Sequence, residues 1–184
     1  MRPSRRWTLK TPQALAVIVL GAAAMAAGAQ VSVPMVPVPT TLQTLAVVLL
    51  GLLAGPRLAM GAAALYLLVA VAGLPVLSSF QRQGGWDFVN FLAAGYVVGF
   101  IPAAGVAGWL GRRGGLLRLT AAGLLAHAVV FAFGVPVIAH WLDWPTAIER
   151  GLAPFLLGAL AKSLVAAGVV AGLRRLRARR NGAH

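Results

Sequence analysis

VPMVPVPTTLQTLAVVLLGLLAGPRLAMGAAALYLLVAVAGLPVL, residues 33–77, joins a proline-punctuated segment to two apolar runs that meet at Gly55-Pro56-Arg57. Pro34, Pro37 and Pro39 each fix φ and remove a backbone donor, which predicts an extended, polyproline-like strap over 33–39 rather than helix. Thr40 and Gln43 read as a capping box that opens a helix, the threonine hydroxyl accepting from the amide three residues on and the glutamine reaching back to the threonine amide. The whole chain is 60% hydrophobic and 10% charged, with mean hydropathy +0.86, far from the charged fraction of roughly a quarter found in soluble domains. It is an integral membrane protein. In that setting the helix over 40–53, about 21 Å long at 1.5 Å per residue, is short for a ~30 Å hydrocarbon core. The strap must therefore lie at membrane depth against protein or across a cavity mouth, because lipid cannot satisfy bare backbone.

Six apolar spans are predicted in one domain, at 14–29, 40–53, 58–76, 88–110, 119–139 and 152–173, with 30–39 as a proline-rich lid loop and 174–184 as a basic tail. The span at 88–110 is expected to be interrupted at Pro102. A competing reading of the amino terminus is a cleaved export signal, with a twin-arginine-like Ser4-Arg5-Arg6-Trp7 and a small-residue site at Ala27-Gly28-Ala29. The net charge of +13 would suggest nucleic acid in a soluble protein, but lysine and arginine in a membrane protein sort to cytoplasmic loops. Thirteen of the 16 basic residues fall in the amino-terminal arm, at Arg57, in the loop holding Arg112, Arg113 and Arg118, and in the tail from Arg174 to Arg180, all on one side of a six-span topology. Both termini are then cytoplasmic. Absence of cysteine excludes disulfides and thiolate chemistry.

Lys162 stands inside the last span, roughly 15 Å from either surface, too deep to snorkel. A lysine at that depth costs about 2.5 to 3.5 kcal/mol even on insertion scales, and no acidic residue falls within a predicted span to pair with it. Either it is bonded to backbone carbonyls of a neighbouring helix or deprotonated, or it holds an anionic ligand group. Gln43, Asn90 and Tyr96 fall in the outer halves of their spans, where they could converge with Lys162 on one cavity, and each also suits a helix-to-helix bond or an anchor. Trp86, Trp141 and Trp144 read as interfacial anchors, Trp86 also as a wall against a ring-shaped ligand. His127 is alone on an apolar span with no second ligand at helical spacing, which disfavours a metal. Ala22/Ala26 and Ala23/Ala27 leave a flat face on the first span, suited to close helix packing or to a docking partner.

No P-loop, HExxH or nucleophile elbow is present, so the chain is not read as an enzyme. Any active transport must draw energy from outside it. Val36-Pro37-Val38-Pro39-Thr40-Thr41-Leu42-Gln43-Thr44-Leu45-Ala46-Val47, then Gly51, Gly55-Pro56-Arg57, Leu65-Tyr66-Leu67-Leu68 and Gly73-Leu74-Pro75-Val76, resembles the BioY family, the biotin-specific substrate-binding (S) components of energy-coupling-factor (ECF) transporters. Gly95-Tyr96, Gly99-Phe100, Pro154-Phe155-Leu156, Gly158 and Lys162 extend the resemblance. It implies an all-α bundle of six transmembrane helices, multi-pass in the cell's inner (plasma) membrane. It further implies a vitamin site near the outer face; the residues read as candidates to form it are Lys162, Asn90, Tyr96, Gln43, Thr40 and Trp86, beneath a lid holding Pro34, Pro37 and Pro39. The face with Ala22, Ala23, Ala26 and Ala27 would dock a transmembrane coupling subunit, ATP would be hydrolysed by partner ATPase subunits, and the chain itself would need no cofactor and no metal.

Two departures bear on the ligand. The family's Gly-Pro-Thr-Gly-Gly-Tyr is replaced by Phe91-Leu92-Ala93-Ala94-Gly95-Tyr96, and the family aspartate three residues before the lysine, a ligand contact there, is Ala159. Either another group, with Asn90 the candidate, supplies that acceptor, or the ligand is a different carboxylated vitamin or precursor. The expected function is capture and uptake of biotin or a close relative. The rival readings are a stand-alone facilitator or channel for a small organic anion, and a ligand-free membrane scaffold.

Overall fold

Glycine and alanine dominate the helix contacts of this chain, and they set how closely its backbones approach. The computed structural model describes residues 11–82 and 84–181. Helix α1 (Thr11–Gln30) leads through strand β1 (Ser32–Val33) and strand β2 (Thr40–Thr41) to α2 (Gln43–Ala54) and α3 (Pro56–Val71). A short 3-10 turn (Ser78–Phe80) and α4 (Trp86–Val89) precede α5 (Ala94–Leu110), α6 (Leu116–Trp141), α7 (Trp144–Gly151) and α8 (Ala153–Asn181). The class is all-α as expected. Three stretches, Thr11–Gln30, Leu116–Trp141 and Trp144–Arg180, are long and apolar enough to cross a membrane, whereas α2, α3 and α5 have only 12, 16 and 17 residues. The twin-arginine-like stretch and the amino-terminal arm lie outside the described residues.

Helix α5 is the centre of the bundle, packed against α6, α3 and α2. Its Gly95 and Gly99 repeat at four residues and face α6, where a side chain on Gly95 would come within 3.0 Å of the Gly134 Cα and one on Gly99 within 3.2 Å of the Val130 Cα. Such small-residue faces let helix backbones meet closely where lipid supplies no hydrophobic drive. Gly51 does the same between α2 and α5, lying against Ala107 and the Ala104 carbonyl. The alanine face of α1 is divided: Ala22, only 8% exposed, joins the core and Ala26 packs beside it, while Ala23 and Ala27 look outward. Half of the pattern expected for a docking partner therefore serves contacts within the chain.

Several boundaries differ from expectation, each for a local reason. The strap is not polyproline-like: residues 32–41 form a hairpin, Ser32 pairing with Thr41 and Val33 with Thr40, with a cis peptide at Val36–Pro37 in its loop. The amide of Leu42 points to both the Gly28 and Val31 carbonyls at 3.1 Å, tying the hairpin's end to the end of α1. Helix α2 therefore starts at Gln43, three residues late, and the capping box at Thr40 does not form. Thr40 is extended and paired, its buried hydroxyl without a hydrogen-bond partner among the described residues, and the Thr41 hydroxyl instead accepts from the Gln43 amide at 3.3 Å and donates to Gln43 Oε1 at 2.9 Å.

Helix α3 stops at Val71 because Gly73 adopts φ +80°, a left-handed ending in which the Leu74 amide bonds back to the Val69 carbonyl. The span expected over 88–110 breaks at residues 90–93, where two tight turns, Phe91 amide to Phe88 carbonyl and Ala94 amide to Phe91 carbonyl, let both Phe88 and Phe91 pack on the core. Pro102, by contrast, does not interrupt α5, which runs through it; losing one donor is tolerated where neighbouring helices surround the backbone. The loop expected at 140–150 contains α7, and α8 continues to Asn181, so most of the basic tail is helical. Arg174 donates to the Gly111 carbonyl at 2.7 Å and the Gly114 carbonyl at 3.3 Å, fastening that extension to the α5–α6 loop.

A methyl on Gly108 would sit 2.8 Å from the Pro56 Cα and 2.8 Å from the Gly55 carbonyl carbon, both backbone atoms that cannot step aside. Gly108→Ala is expected to destabilise the folded protein in detergent by about 1–3 kcal/mol. Gly158→Ala, which meets nothing within 4 Å, should be neutral or stabilising in the same thermal melt.

Candidate functional site

Helices α2, α5, α6 and α8 enclose a cavity that Val38 and Pro39 of the hairpin also line. The space within its lining, open solvent included, is about 620 Å³. The walls are aromatic and aliphatic, with Phe100 from α5, Phe131 from α6, Phe155 from α8 and Phe91 from the turn before α5. Gln43, Thr44, Tyr96, His127 and Lys162 supply most of the polar atoms.

Lys162 reaches from α8 to the start of α2, where its ammonium donates to the Thr41 carbonyl at 2.6 Å and to the Thr44 hydroxyl at 3.1 Å. Among the described residues no acidic side chain lines the cavity, so the positive charge there has only neutral oxygen partners among them. An ammonium has three N–H donors, and this geometry leaves one for a ligand. Gln43 is held from two sides: its side-chain amide donates to the Tyr66 hydroxyl at 2.6 Å, which in turn donates to the Val76 carbonyl at 2.9 Å, while Oε1 accepts from Thr41. That chain of bonds fixes the α2 end of the cavity to α3 and to the segment after it. Tyr96 turns its ring to the cavity beside Phe155, with ring centres 6.2 Å apart, and its hydroxyl donates to the Gly151 carbonyl at 2.7 Å.

Of the residues expected at the site, Lys162, Gln43 and Tyr96 meet around this cavity and three do not. Thr40 is one residue out of step: Thr41 and Thr44 line the cavity in its place, because the hairpin's alternation turns Thr40 the other way. Trp86 is 82% exposed on α4, and Asn90, at the end of that helix, is exposed as well; the break at 90–93 carries both away from the lining. In the hairpin loop Pro39 lines the cavity, Pro34 is exposed and Pro37 is half-buried. His127 is the residue that sequence reasoning passed over. It is 3% exposed, yet it belongs to the cavity wall. Its inward place on α6, beside Ser163 of α8, carries no sequence signal, because the residues flanking it on α6 are apolar.

An all-helical membrane protein with an aromatic cavity and a lone interior ammonium defines a small-molecule-binding membrane component. The profile of the BioY family matches residues 3–179, and the chain belongs to that family. It is 34% identical over 155 residues to the biotin transporter BioY of Thermotoga maritima, a match covering 83% of this chain and 90% of that one. It is 32% identical over 152 residues to a probable biotin transporter BioY of Pyrococcus horikoshii, with the same coverage. The fold superposes with TM-score 0.76 on the crystal structure of the S-component for biotin from an ECF-type ABC transporter, at 20% identity, over 91% of this chain and 95% of that one.

The Tyr96 anchor depends on α7, whose final carbonyl it bonds. Asp143 caps that helix, accepting from the Thr146 amide at 2.7 Å and from the Thr146 hydroxyl at 2.8 Å. The amide bond first, then the hydroxyl bond and the charge of Arg150, holds its carboxyl below the usual range. Because the folded value is depressed, the cap's stabilisation is present above the unfolded carboxylate pKa and is lost as pH falls through the folded one. Asp143→Ala should speed amide exchange at Thr146 and Ala147 about 5-fold or more at neutral pH. Acidifying the native protein should move the Thr146 amide resonance, a transition the variant lacks.

Proposed function

We propose that this chain is the substrate-capturing S component of an ECF-type transporter, binding biotin or a closely related carboxylated vitamin or precursor. The observation that carries the reading is Lys162, an ammonium set among aromatic walls with no acidic side chain among the described lining residues and one donor to spare. Biotin presents two strong acceptors, a carboxylate and a ureido carbonyl, and an apolar bicyclic body for such walls. Lys162, Tyr96 and Gln43 form the core of the proposed site, with Thr41 and Thr44 positioning the lysine and Pro39 at the lid. Since the chain has no nucleotide-binding motif, energy comes from a transmembrane coupling subunit and ATPase subunits, and the chain itself uses no cofactor. The outward Ala23 and Ala27 of α1 are its docking surface for the coupling subunit.

The family assignment and the charge asymmetry together support six spans in the inner membrane with both termini cytoplasmic. Because the chain has no cysteine, single cysteines report on this directly. In intact cells, Glu149→Cys should react with an impermeant maleimide and Arg177→Cys should not; the reverse pattern inverts the topology.

The purified chain should bind labelled biotin without any partner, and Lys162→Ala should weaken binding roughly 100-fold through loss of a charge-assisted hydrogen bond. Absence of binding by the native chain refutes biotin as ligand. Uptake by cells should require coexpressed coupling and ATPase subunits; ATP-independent flux through the chain alone makes it a facilitator.

A further inference from the structure

His127 raises a question that Lys162 does not answer. Its Nδ1 lies 2.9 Å from the Gly123 carbonyl one turn back on α6 and 3.2 Å from the Ser163 hydroxyl on α8. A carbonyl can only accept, so Nδ1 carries the proton and Nε2 keeps its lone pair. The ring is 3% exposed and lines the cavity, and with Nδ1 bonded to its own helix and to Ser163, Nε2, itself closed off from solvent, is the ring nitrogen that remains. That nitrogen has no hydrogen-bond partner among the described residues. A buried acceptor without a donor is a cost that folds rarely carry. Three other acceptors of the lining are engaged: Gln43 Oε1 by Thr41, the Thr41 carbonyl and the Thr44 hydroxyl by Lys162. Ala159, on the same stretch of wall, offers only a methyl.

We propose that Nε2 of His127 accepts a hydrogen bond from an N–H of the bound ligand, making His127 the residue that selects for a donor-bearing ring opposite the acceptor-seeking Lys162. Resting on the biotin reading above, this assigns a ureido N–H to His127. The cavity then has two chemically opposite poles, an ammonium that gives protons to the ligand's acceptors and an imidazole nitrogen that receives one from its ring. Asn90, exposed beyond the break before α5, does not fill that second role.

Two side-chain amides separate the ligand contact from the structural one. Asn places its amide near the Nδ1 position and keeps a donor for the Gly123 carbonyl; Gln places an oxygen near the Nε2 position. In detergent, His127→Asn should bind labelled biotin about 10-fold or more weakly, and His127→Gln should recover much of the loss. If the native chain binds biotin and His127→Asn binds it within about twofold, the assignment to His127 fails while the biotin reading stands. If the native chain binds no biotin, both fall. Imidazole nitrogen NMR of the native protein decides the matter even if the variants do not fold: the unprotonated Nε2 resonance should shift upfield on adding biotin, and a resonance that stays put at saturation overturns the proposal.

Discussion

A charge in an apolar interior has to be met by fixed dipoles, and here one such meeting orders the rest of the site. The Lys162 ammonium rests on the Thr41 carbonyl, at the end of the hairpin just before α2 begins. A helical residue's carbonyl is occupied by its own ladder, so a carbonyl free to receive a lysine arises where a helix has not yet begun. The hairpin supplies it by delaying α2 until Gln43. The proline-rich segment, the short second helix and the interior lysine are thus parts of one arrangement. Shortening α2 frees backbone, and the freed backbone holds the charge.

The remaining cavity wall depends on how closely helices approach. Gly95 and Gly99 bring α5 against α6, and Gly123 brings α6 against Ser163 of α8, so Tyr96, His127 and Lys162 come to one space from three helices. Around that wall, polar side chains are spent on backbone: Tyr66 on Val76, Tyr96 on Gly151, Gln30 on Leu77. Two of these bonds pin the segment after α3 to a helix and the third pins the end of α7 to α5, all without using a charge.

Much of this was legible in the sequence, and the parts that were not have a common cause. Apolar runs gave the helices because a 20-residue hydrophobic stretch has few other fates. Lys162 stood out because its placement is costly, and Gln43 and Tyr96 because polar groups in such runs need partners. Facing was not legible. In α5 and α6 nearly every residue is apolar, so no periodicity marks the inward side, and His127 could not be told from a lipid-side or structural histidine. The break at 90–93 carries no proline or glycine, only a tertiary gain from burying Phe88 and Phe91, and so nothing in the sequence shows that Asn90 and Trp86 lie away from the lining. Thr40 failed by one residue, which in an extended chain is enough to reverse a side chain.

The bond from Lys162 to position 41 has one further property. Its acceptor is a main-chain oxygen, which every amino acid at 41 would supply equally. Side-chain replacement there removes the hydroxyl's bonds to Gln43 but not the lysine's acceptor, so a scan of position 41 reports on Gln43 rather than on the contact that orders the site. What evolution can alter is the path that carries the oxygen to its place, so the heritable determinant of the lysine's seat is the shape of the hairpin rather than the identity of the residue that touches it.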